Sequence, residues 1–471
     1  MKSLSKILLS LYILFMLPAV ILAQEVDPAK DDTTATIGTD EAIKDIEHDW
    51  SYKTKKIQYG GWITPAFIQD YRDDSEYLNS SVTTIRLWSK FYLWKHSFLH
   101  LRIKNTLIGY LSHEGYKLPD EVENQFDVDL AFLKMSFLDQ KLRFYVGRKF
   151  YILGSGLVYN GRGDGTELNF YSTYVDFKVF LAYTGFLSLS SNKTNPFRLS
   201  TNDDIRNISE DSERVFTGGI VNFNIMNHNV YVLLVAQFDT GDEKPGIRSK
   251  YDSQYSGIGA KGSFPFNLTY NAEIVYESGF SYTETNQKKM ISAVAGTFNL
   301  YYYLKHVFKK KTIFHELNPL IVAHYAFGTG DSDRTGYEDS RGNTAGLDQG
   351  FISFGTFMGG YGLRPVLGNI HIVRLGFALT PCYWTKIWYL QRMTFIFKYS
   401  AYIKDKKDGT INYGEFPGGS KFVGNGVDLT LRWKIMSDIS IYINYGVFVP
   451  DSSHSGESPR HFAMEGISLH F

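Results

Sequence analysis

Basic side chains recur at alternate positions of several apolar segments of the chain. In one such segment, Leu101, Ile103 and Leu107 alternate with Arg102 and Lys104. Successive side chains of a strand point to opposite faces, so this period predicts strands with one apolar and one basic face. Bases around a narrow passage would attract anions and offer them a series of weak sites. The bases assigned to the polar face are Arg86, Lys90, Arg102, Lys104, Arg143, Lys178, Arg374, Arg392, Lys398, Arg432 and Lys434.

Acids on the same face are fewer than bases. The acids assigned to it are Asp127, Asp129, Asp176, Glu273 and Asp428. The whole chain has 49 basic and 49 acidic residues, so its formal net charge of zero identifies no partner. The polar face is therefore predicted to be cationic although the protein is neutral. The alternative is that these bases pair with acids on neighbouring strands and stiffen the fold.

The elements that carry these residues read as antiparallel strands. Ile441, Ile443 and Tyr445 share one face of the segment 440–449, and only residues 436–438 separate it from the similar segment 425–435. Other segments lie at 166–186 and 351–380, and some segments are expected to hold two strands. The pattern predicts an all-β fold, a transmembrane antiparallel β-barrel of 16 to 18 strands, with 18 as the expected count.

Composition favours a barrel in a membrane. Beyond the N-terminus no run of 18 apolar residues occurs, so helical spans are excluded and a closed barrel is the remaining way to cross. The 33 tyrosines and 35 phenylalanines would supply aromatic girdles at both membrane interfaces. A soluble β-sandwich also alternates, but ionisable groups occupy the second face of nearly every strand here. The barrel is therefore the preferred interpretation.

Polar, glycine-rich segments between the strands read as long extracellular loops. They lie at 190–214, 241–251, 328–350, 404–424 and 450–460. Loop 328–350 is expected to fold inward, because its glycines allow tight turns and its acids could pair with the basic wall. Asp331, Asp333, Glu338 and Asp339 could also offer oxygen ligands to calcium. A solvated acidic loop is the preferred interpretation, and no metal site is predicted.

The chain divides into three parts. Lys2 and Lys6, followed by an apolar stretch from Ile7 to Leu22, predict a signal peptide over residues 1–23. Residues 24–56 are acidic and then lysine-rich without a strand period, and are predicted to be a flexible periplasmic extension. Residues 57–471 are predicted to form the outer-membrane barrel. The single cysteine, Cys382, forms no internal disulfide.

Three segments resemble the alginate-export type of outer-membrane channel. They are Val146-Gly147-Arg148-Lys149 with the run from Asn160 to Gly165, Tyr325-Ala326-Phe327-Gly328-Thr329-Gly330-Asp331, and the C-terminal stretch from Gly426 to Pro450. The resemblance implies a monomeric 18-stranded barrel whose basic passage conducts an anionic polysaccharide or a related polar solute outward. It also implies that Arg148 and Arg162 are pore bases and that Asp164 orients one of them.

Arg148 does not fit the simple strand period. Leu142, Phe144 and Val146 place it on the lipid-facing side of its strand. Either a bulge shifts the register there, or Arg148 lies at a strand end near the headgroups.

The final strand alternates up to Phe471, which resembles the terminal signal that barrel-assembly machinery reads. The predicted partners are this machinery, outer-membrane lipid, and a polar or anionic small solute or polysaccharide. Dispersed bases argue against nucleic-acid binding, and the sequence contains no Gly-x-Ser-x-Gly elbow, so no enzyme and no cofactor is predicted. The sequence thus predicts a solute channel of the bacterial outer membrane. A structural or adhesive barrel with a plugged lumen is the alternative.

Overall fold

A computed structural model describes residues 56–73, 76–114, 122–184, 213–240, 251–283, 287–308, 312–336, 343, 345–355, 357–412, 414–454 and 456–471. The predicted signal peptide and all of the predicted N-terminal extension except Lys56 lie outside these residues.

The described residues form eighteen β-strands in one antiparallel sheet. Each strand pairs with its neighbours in the chain, and β1 also pairs with β18, which closes the barrel. The predicted fold class and the count of 18 are confirmed. The strands are β1 (Ile57–Asp73), β2 (Glu76–Trp94), β3 (Ser97–Glu114), β4 (Glu123–Phe137), β5 (Leu142–Ile152), β6 (Asn160–Phe170), β7 (Val175–Tyr183), β8 (Arg214–Ile225), β9 (His228–Asp239), β10 (Tyr251–Phe264), β11 (Leu268–Tyr282), β12 (Lys288–Tyr303), β13 (Leu320–Gly328), β14 (Ile370–Leu379), β15 (Met393–Lys404), β16 (Phe422–Lys434), β17 (Ile439–Pro450) and β18 (Arg460–His470).

The outer face of the barrel is apolar. Leu429, Ile443 and Leu375 lie on it and are exposed, whereas the alternate residues Asp428 and Arg374 are buried toward the lumen. A soluble sandwich would bury these apolar side chains against a second sheet. Their exposure on a closed barrel is what a lipid-facing surface requires. Among the described residues, no helix is long and apolar enough to cross a membrane.

The two ends of the barrel differ in their connections. One end has short turns such as 95–96, 226–227 and 435–438, and the strand ends that border the five predicted long loops all lie at the other end. The short-turn end is periplasmic and the long-loop end extracellular in barrels of this type. Two longer connections also lie at the short-turn end, and their helical turns are Leu304–His306, α1 (Ile313–Glu316) and Leu390–Arg392.

Two connections from the long-loop end fold into the lumen. The first inward segment is residues 153–159, between β5 and β6, and the second is residues 351–355 and 357–369, between β13 and β14. They bond to each other, since Phe354 N donates to Val158 O at 3.1 Å. Tyr159 and Phe351 are fully buried in the apolar cluster that joins both segments to the wall.

The second inward segment corrects two sequence predictions. Residues 351–355 and 357–369 are not strand, because their apolar side chains pack inside the lumen instead of facing lipid. Two described acids of loop 328–350, Asp331 and Asp348, bond within the loop, whereas the sequence predicted that its acids pair with the basic wall. Asp348 pairs within the loop with Arg334 at 2.7 Å, and Asp331 accepts from Gln349 N at 2.9 Å.

The strand that leads into the first inward segment separates from β4 after Gly147 and Arg148. β4 pairs with β5 only up to Ala131 and Arg148, while β5 continues to pair with β6 as far as Ile152. Gly147 has a φ of 118°, a value that L side chains rarely adopt. The end of the β5–β6 hairpin can therefore turn away from β4 toward the lumen.

Replacing Gly147 with alanine is expected to destabilise the barrel by about 1–3 kcal/mol. A Cβ atom there would lie 2.3 Å from Ala131 O, in addition to the unfavourable φ. Urea unfolding of the refolded protein measures the effect. Gly456→Ala is the matched control, because its Cβ would meet no atom within 4 Å. Equal stability of the two variants would show that the bend does not depend on glycine.

Candidate functional site

Three of the predicted bases line one cavity of about 140 Å³ in the lumen. Arg374 on β14, Lys398 on β15 and Arg432 on β16 lie on three neighbouring strands, all on the inner face. Asp428 is the one carboxylate among the described residues that line this lumen cavity. Three bases against one acid leave the lining with an excess of positive charge.

Arg374 and Asp428 are held in position by hydrogen bonds to the second inward segment, and Arg374 also bonds to β15. Arg374 Nε donates to Ser400 Oγ at 2.9 Å and its Nη1 to Met358 O at 3.1 Å. Asp428 Oδ1 accepts from Tyr361 N at 2.9 Å, while its Oδ2 lies 3.7 Å from Arg374 Nη2. Polar side chains without a formal charge also line the cavity, among them Asn271, Thr297, Asn299, Tyr301 and Thr430.

Five other predicted bases form a separate, buried group on strands β2, β3, β5 and β6. This wall cluster comprises Arg86, Arg102, Lys104, Arg148 and Arg162 together with Asp127, Asp129 and Asp164. Arg148 Nη1 donates to Asp164 Oδ2 at 2.8 Å, and Lys104 Nζ lies 3.5 Å from Asp127. Each of these five bases contacts one of the three acids, as the alternative interpretation of the sequence proposed, and three of the bases share Asp129.

The register between β3 and β4 shifts by one residue at the wall cluster. Arg102 pairs with Leu130 and Ile103 with Val128, so Asp129 is the extra residue of a β-bulge. Its carboxylate lies 2.6 Å from Arg102 Nε and 3.4 Å from Arg86 Nε, and it also contacts Arg162. Arg148 is buried at the inward bend instead of facing lipid. The positions of Asp129 and Arg148 therefore both depart from the regular alternation of inner and outer side chains.

Replacing Asp129 with asparagine is expected to lower the free energy of unfolding by about 3–5 kcal/mol, because it leaves buried arginines without their counter-charge. Asparagine keeps the shape of the side chain, so the loss of stability measures the contribution of the negative charge. Urea unfolding checks it, with Asp139→Asn in an exposed turn as the matched control. If the two variants unfold alike, the charge of Asp129 does not stabilise the barrel.

The remaining predicted bases lie elsewhere. Lys178 Nζ donates to Ile152 O at 3.3 Å, Lys90 lies over Phe98, and Arg143 lies over Tyr171 near the short-turn end. Lys434 is the last residue of β16. Arg392 was predicted to line the pore, and this is wrong. It lies exposed in a helical turn and stacks over Trp388, because β15 begins only at Met393, five residues after the start of the predicted segment 388–404.

Wall carboxylates hold the inward segments in place. Glu273 accepts from Ser155 N at 2.8 Å and from Ser155 Oγ at 2.7 Å. Glu277, four residues further along β11, accepts from Ile352 N at 2.9 Å. Asp428 holds Tyr361 as described above, and Asp70 lies 2.5 Å from Arg364 Nη2. We call Asp70, Glu273, Glu277 and Asp428 the carboxylate anchors.

Sequence reasoning assigned Glu273 and Asp428 to the inner face but missed Glu277 and Asp70. A signal for Glu277 was present, because residues four apart in a strand share a face. Their partners lie on segments whose position the strand pattern does not predict, so the sequence did not show the anchoring role.

In the extracellular loop, burial and a hydrogen bond with Asp333 raise the pKa of Asp331 to about 6.

No protein-family model matches the chain, and no curated protein matches it in sequence. Solved structures do match its fold. The outer membrane protein opdK of Pseudomonas aeruginosa superposes with a TM-score of 0.53 at 11% identity, covering 88% of this chain and 99% of that one. OccAB3 of Acinetobacter baumannii gives 0.52 at 10% identity, and a BenF-like porin of Pseudomonas fluorescens Pf-5 gives 0.52 at 8%, each covering 88% of this chain and 99% of the other.

These identities are low, so the likeness concerns the fold. It agrees with the closed sheet and with the exposed apolar outer face, which together indicate the bacterial outer membrane as the location and its lipid as the surroundings. The chain has the fold of an outer-membrane porin.

Proposed function

We propose that this protein is a passive channel of the outer membrane that passes small polar solutes and prefers anions. The observation that carries the proposal is the excess of positive charge on the lumen cavity, where Arg374, Lys398 and Arg432 face a single carboxylate, Asp428. Fixed bases in a pore of low dielectric lower the energy of an anion and raise that of a cation. Neutral hydroxyl and amide groups beside them can bind the hydroxyls of a sugar or of an organic acid.

The two inward segments favour small solutes over polymers. They occupy part of the lumen with fully buried side chains such as Tyr159 and Phe351, and they are bonded to each other and to the wall. The resemblance to alginate-export channels suggests an acidic sugar as the solute. A single uronic acid or a short acidic oligosaccharide fits this lumen better than a polysaccharide chain.

A barrel with a plugged lumen is the second candidate. It is favoured by the same apolar cluster, which joins both inward segments to the wall. In that case the bases would only stabilise the fold, and no solute would pass.

Swelling of proteoliposomes tests the proposal. The refolded protein is incorporated with folding verified by its heat-dependent mobility on a gel, and uptake of a uronic acid is compared with that of the neutral hexose of the same size. Faster entry of the uronic acid supports an anion-preferring channel. Equal rates would contradict the preference, and no entry of either solute would indicate a plugged barrel.

We also propose that the barrel-assembly machinery reads the terminal Phe471. Its backbone exchanges hydrogen bonds with Gly61 on β1 at 2.9 Å in both directions, while its side chain is 69% exposed. Phe471→Ala is expected to reduce the amount of folded barrel in cell envelopes while leaving refolding in detergent unchanged. Reduced refolding in detergent would instead assign Phe471 a role in closing the barrel.

A further inference from the structure

Two long connections at the short-turn end form one structural unit. The periplasmic collar comprises residues 304–308 and 312–319, between β12 and β13, and residues 380–392, between β14 and β15. Thr380 N donates to Leu317 O at 2.8 Å, and Lys305 Nζ donates to Tyr383 OH at 2.9 Å. The two connections therefore hold each other in place.

The periplasmic collar exposes large apolar side chains. Ile313 is 65% exposed, and Trp384 and Trp388 are about half exposed. An apolar surface of this kind, rimmed by polar groups, usually meets a membrane or a partner. The exposed apolar side chains are Val307, Ile313, Phe314, Tyr383, Trp384, Ile387, Trp388 and Tyr389.

The periplasmic collar is continuous with the lipid-facing wall. Trp433 follows Leu429 and Leu431 on the outer face of β16, and its indole N–H donates to Tyr389 O at 2.9 Å. The chain of the collar thus lies against the outside of the barrel, where the apolar band ends. Tryptophan and tyrosine at this level lie among lipid headgroups.

Bases accompany these aromatic side chains. Lys386 and Arg392 are exposed, Arg392 stacks over Trp388, and Lys305 stacks over Tyr383 at 4.2 Å. Glu316 is the acid among the described residues of the collar. We propose that the periplasmic collar binds the phosphate headgroups of anionic phospholipid in the inner leaflet, with the aromatic rings at the acyl boundary and the bases on the phosphate. This site is separate from the lumen cavity and does not depend on the channel function.

Native mass spectrometry of the full barrel in detergent tests this proposal with two lipids, phosphatidylglycerol and phosphatidylcholine of identical acyl chains. We expect phosphatidylglycerol to bind about tenfold more tightly than phosphatidylcholine, since each base near the anionic headgroup adds favourable electrostatic binding energy. The Lys386→Glu/Arg392→Glu variant is expected to lose this preference while keeping its binding of phosphatidylcholine. The Trp384→Ala/Trp388→Ala variant should weaken the binding of both lipids.

Phe266→Ala is the matched control, because Phe266 is 84% exposed in a turn at the same end but outside the collar. All variants are checked for folding by their heat-dependent gel mobility. Equal affinity of the native protein for the two lipids would overturn the proposal. So would an unchanged preference in the Lys386→Glu/Arg392→Glu variant, or a dimer of the native protein that the tryptophan variant abolishes without a change in lipid binding.

Discussion

Replacing Arg374, Lys398 and Arg432 together with glutamate is expected to invert the ion selectivity of the channel. The three bases lie on neighbouring strands around one cavity, whose lining includes a single carboxylate, Asp428. The substitution would turn an excess of positive charge into a wall of carboxylates. At the distances of a narrow pore, the interaction with a permeating ion changes sign, and we expect the anion-to-cation permeability ratio to fall by about tenfold or more.

Reversal potentials of the variant in a planar bilayer under a salt gradient give this ratio. The matched control replaces Lys95, Lys141 and Lys288, three exposed lysines outside the lumen cavity, with glutamate. It carries the same change in net charge and should keep the native selectivity. An equal shift in both variants would show that the total charge, and not the lumen cavity, sets the selectivity.

Replacing both Glu273 and Glu277 with alanine is expected to raise the single-channel conductance several-fold. The two carboxylates hold the first and the second inward segment through Ser155 and Ile352. They also accept from tyrosine hydroxyls of the wall, so their loss leaves buried donors unsatisfied. Freed from the wall, the inward segments would no longer narrow the lumen.

The conservative variant Glu273→Gln/Glu277→Gln distinguishes anchoring from a general loss of stability. Glutamine retains one acceptor oxygen at each position, so its conductance should lie between those of the native protein and the alanine variant. Glu465→Ala, which removes an exposed acid on the outer face of β18, is the control and should conduct as the native protein does. Unchanged conductance in the folded alanine variant would show that the anchors do not set the width of the passage.

Strand alternation was sufficient to predict the barrel. Side chains such as Ile443 and Leu429 alternate without interruption, and the period of two follows directly from strand geometry. The lengths of the connections likewise indicated which end carries the long loops, because hairpins of a membrane barrel need few residues on one side. These features depend only on local sequence, which explains their success.

Alternation failed where the backbone departs from a regular strand. The bulge at Asp129 and the bend at Gly147 shift the inner face, so Asp129, Arg148 and Arg162 meet in the wall cluster. Phe351 and Ile352 read as strand because their neighbours are apolar, yet they pack inside the lumen. Whether an apolar segment faces lipid or the lumen depends on contacts with distant residues, here Glu277 and Tyr159, which local sequence does not specify.

The division of the bases into two groups changes what the sequence implied. The period of two placed all of the predicted bases on one cationic lining. In the structure five of them are buried in contact with Asp127, Asp129 or Asp164, whereas three others line the lumen cavity with a single carboxylate. The proposed preference for anions therefore depends on Arg374, Lys398 and Arg432.

The most direct test of the proposed function is the reversal potential of the native, refolded protein in a planar bilayer under a salt gradient. The account predicts discrete openings that pass anions in preference to cations. Cation-selective openings would contradict the role of the basic lumen cavity. The absence of openings, from protein shown to be folded, would contradict the channel itself and favour a plugged barrel.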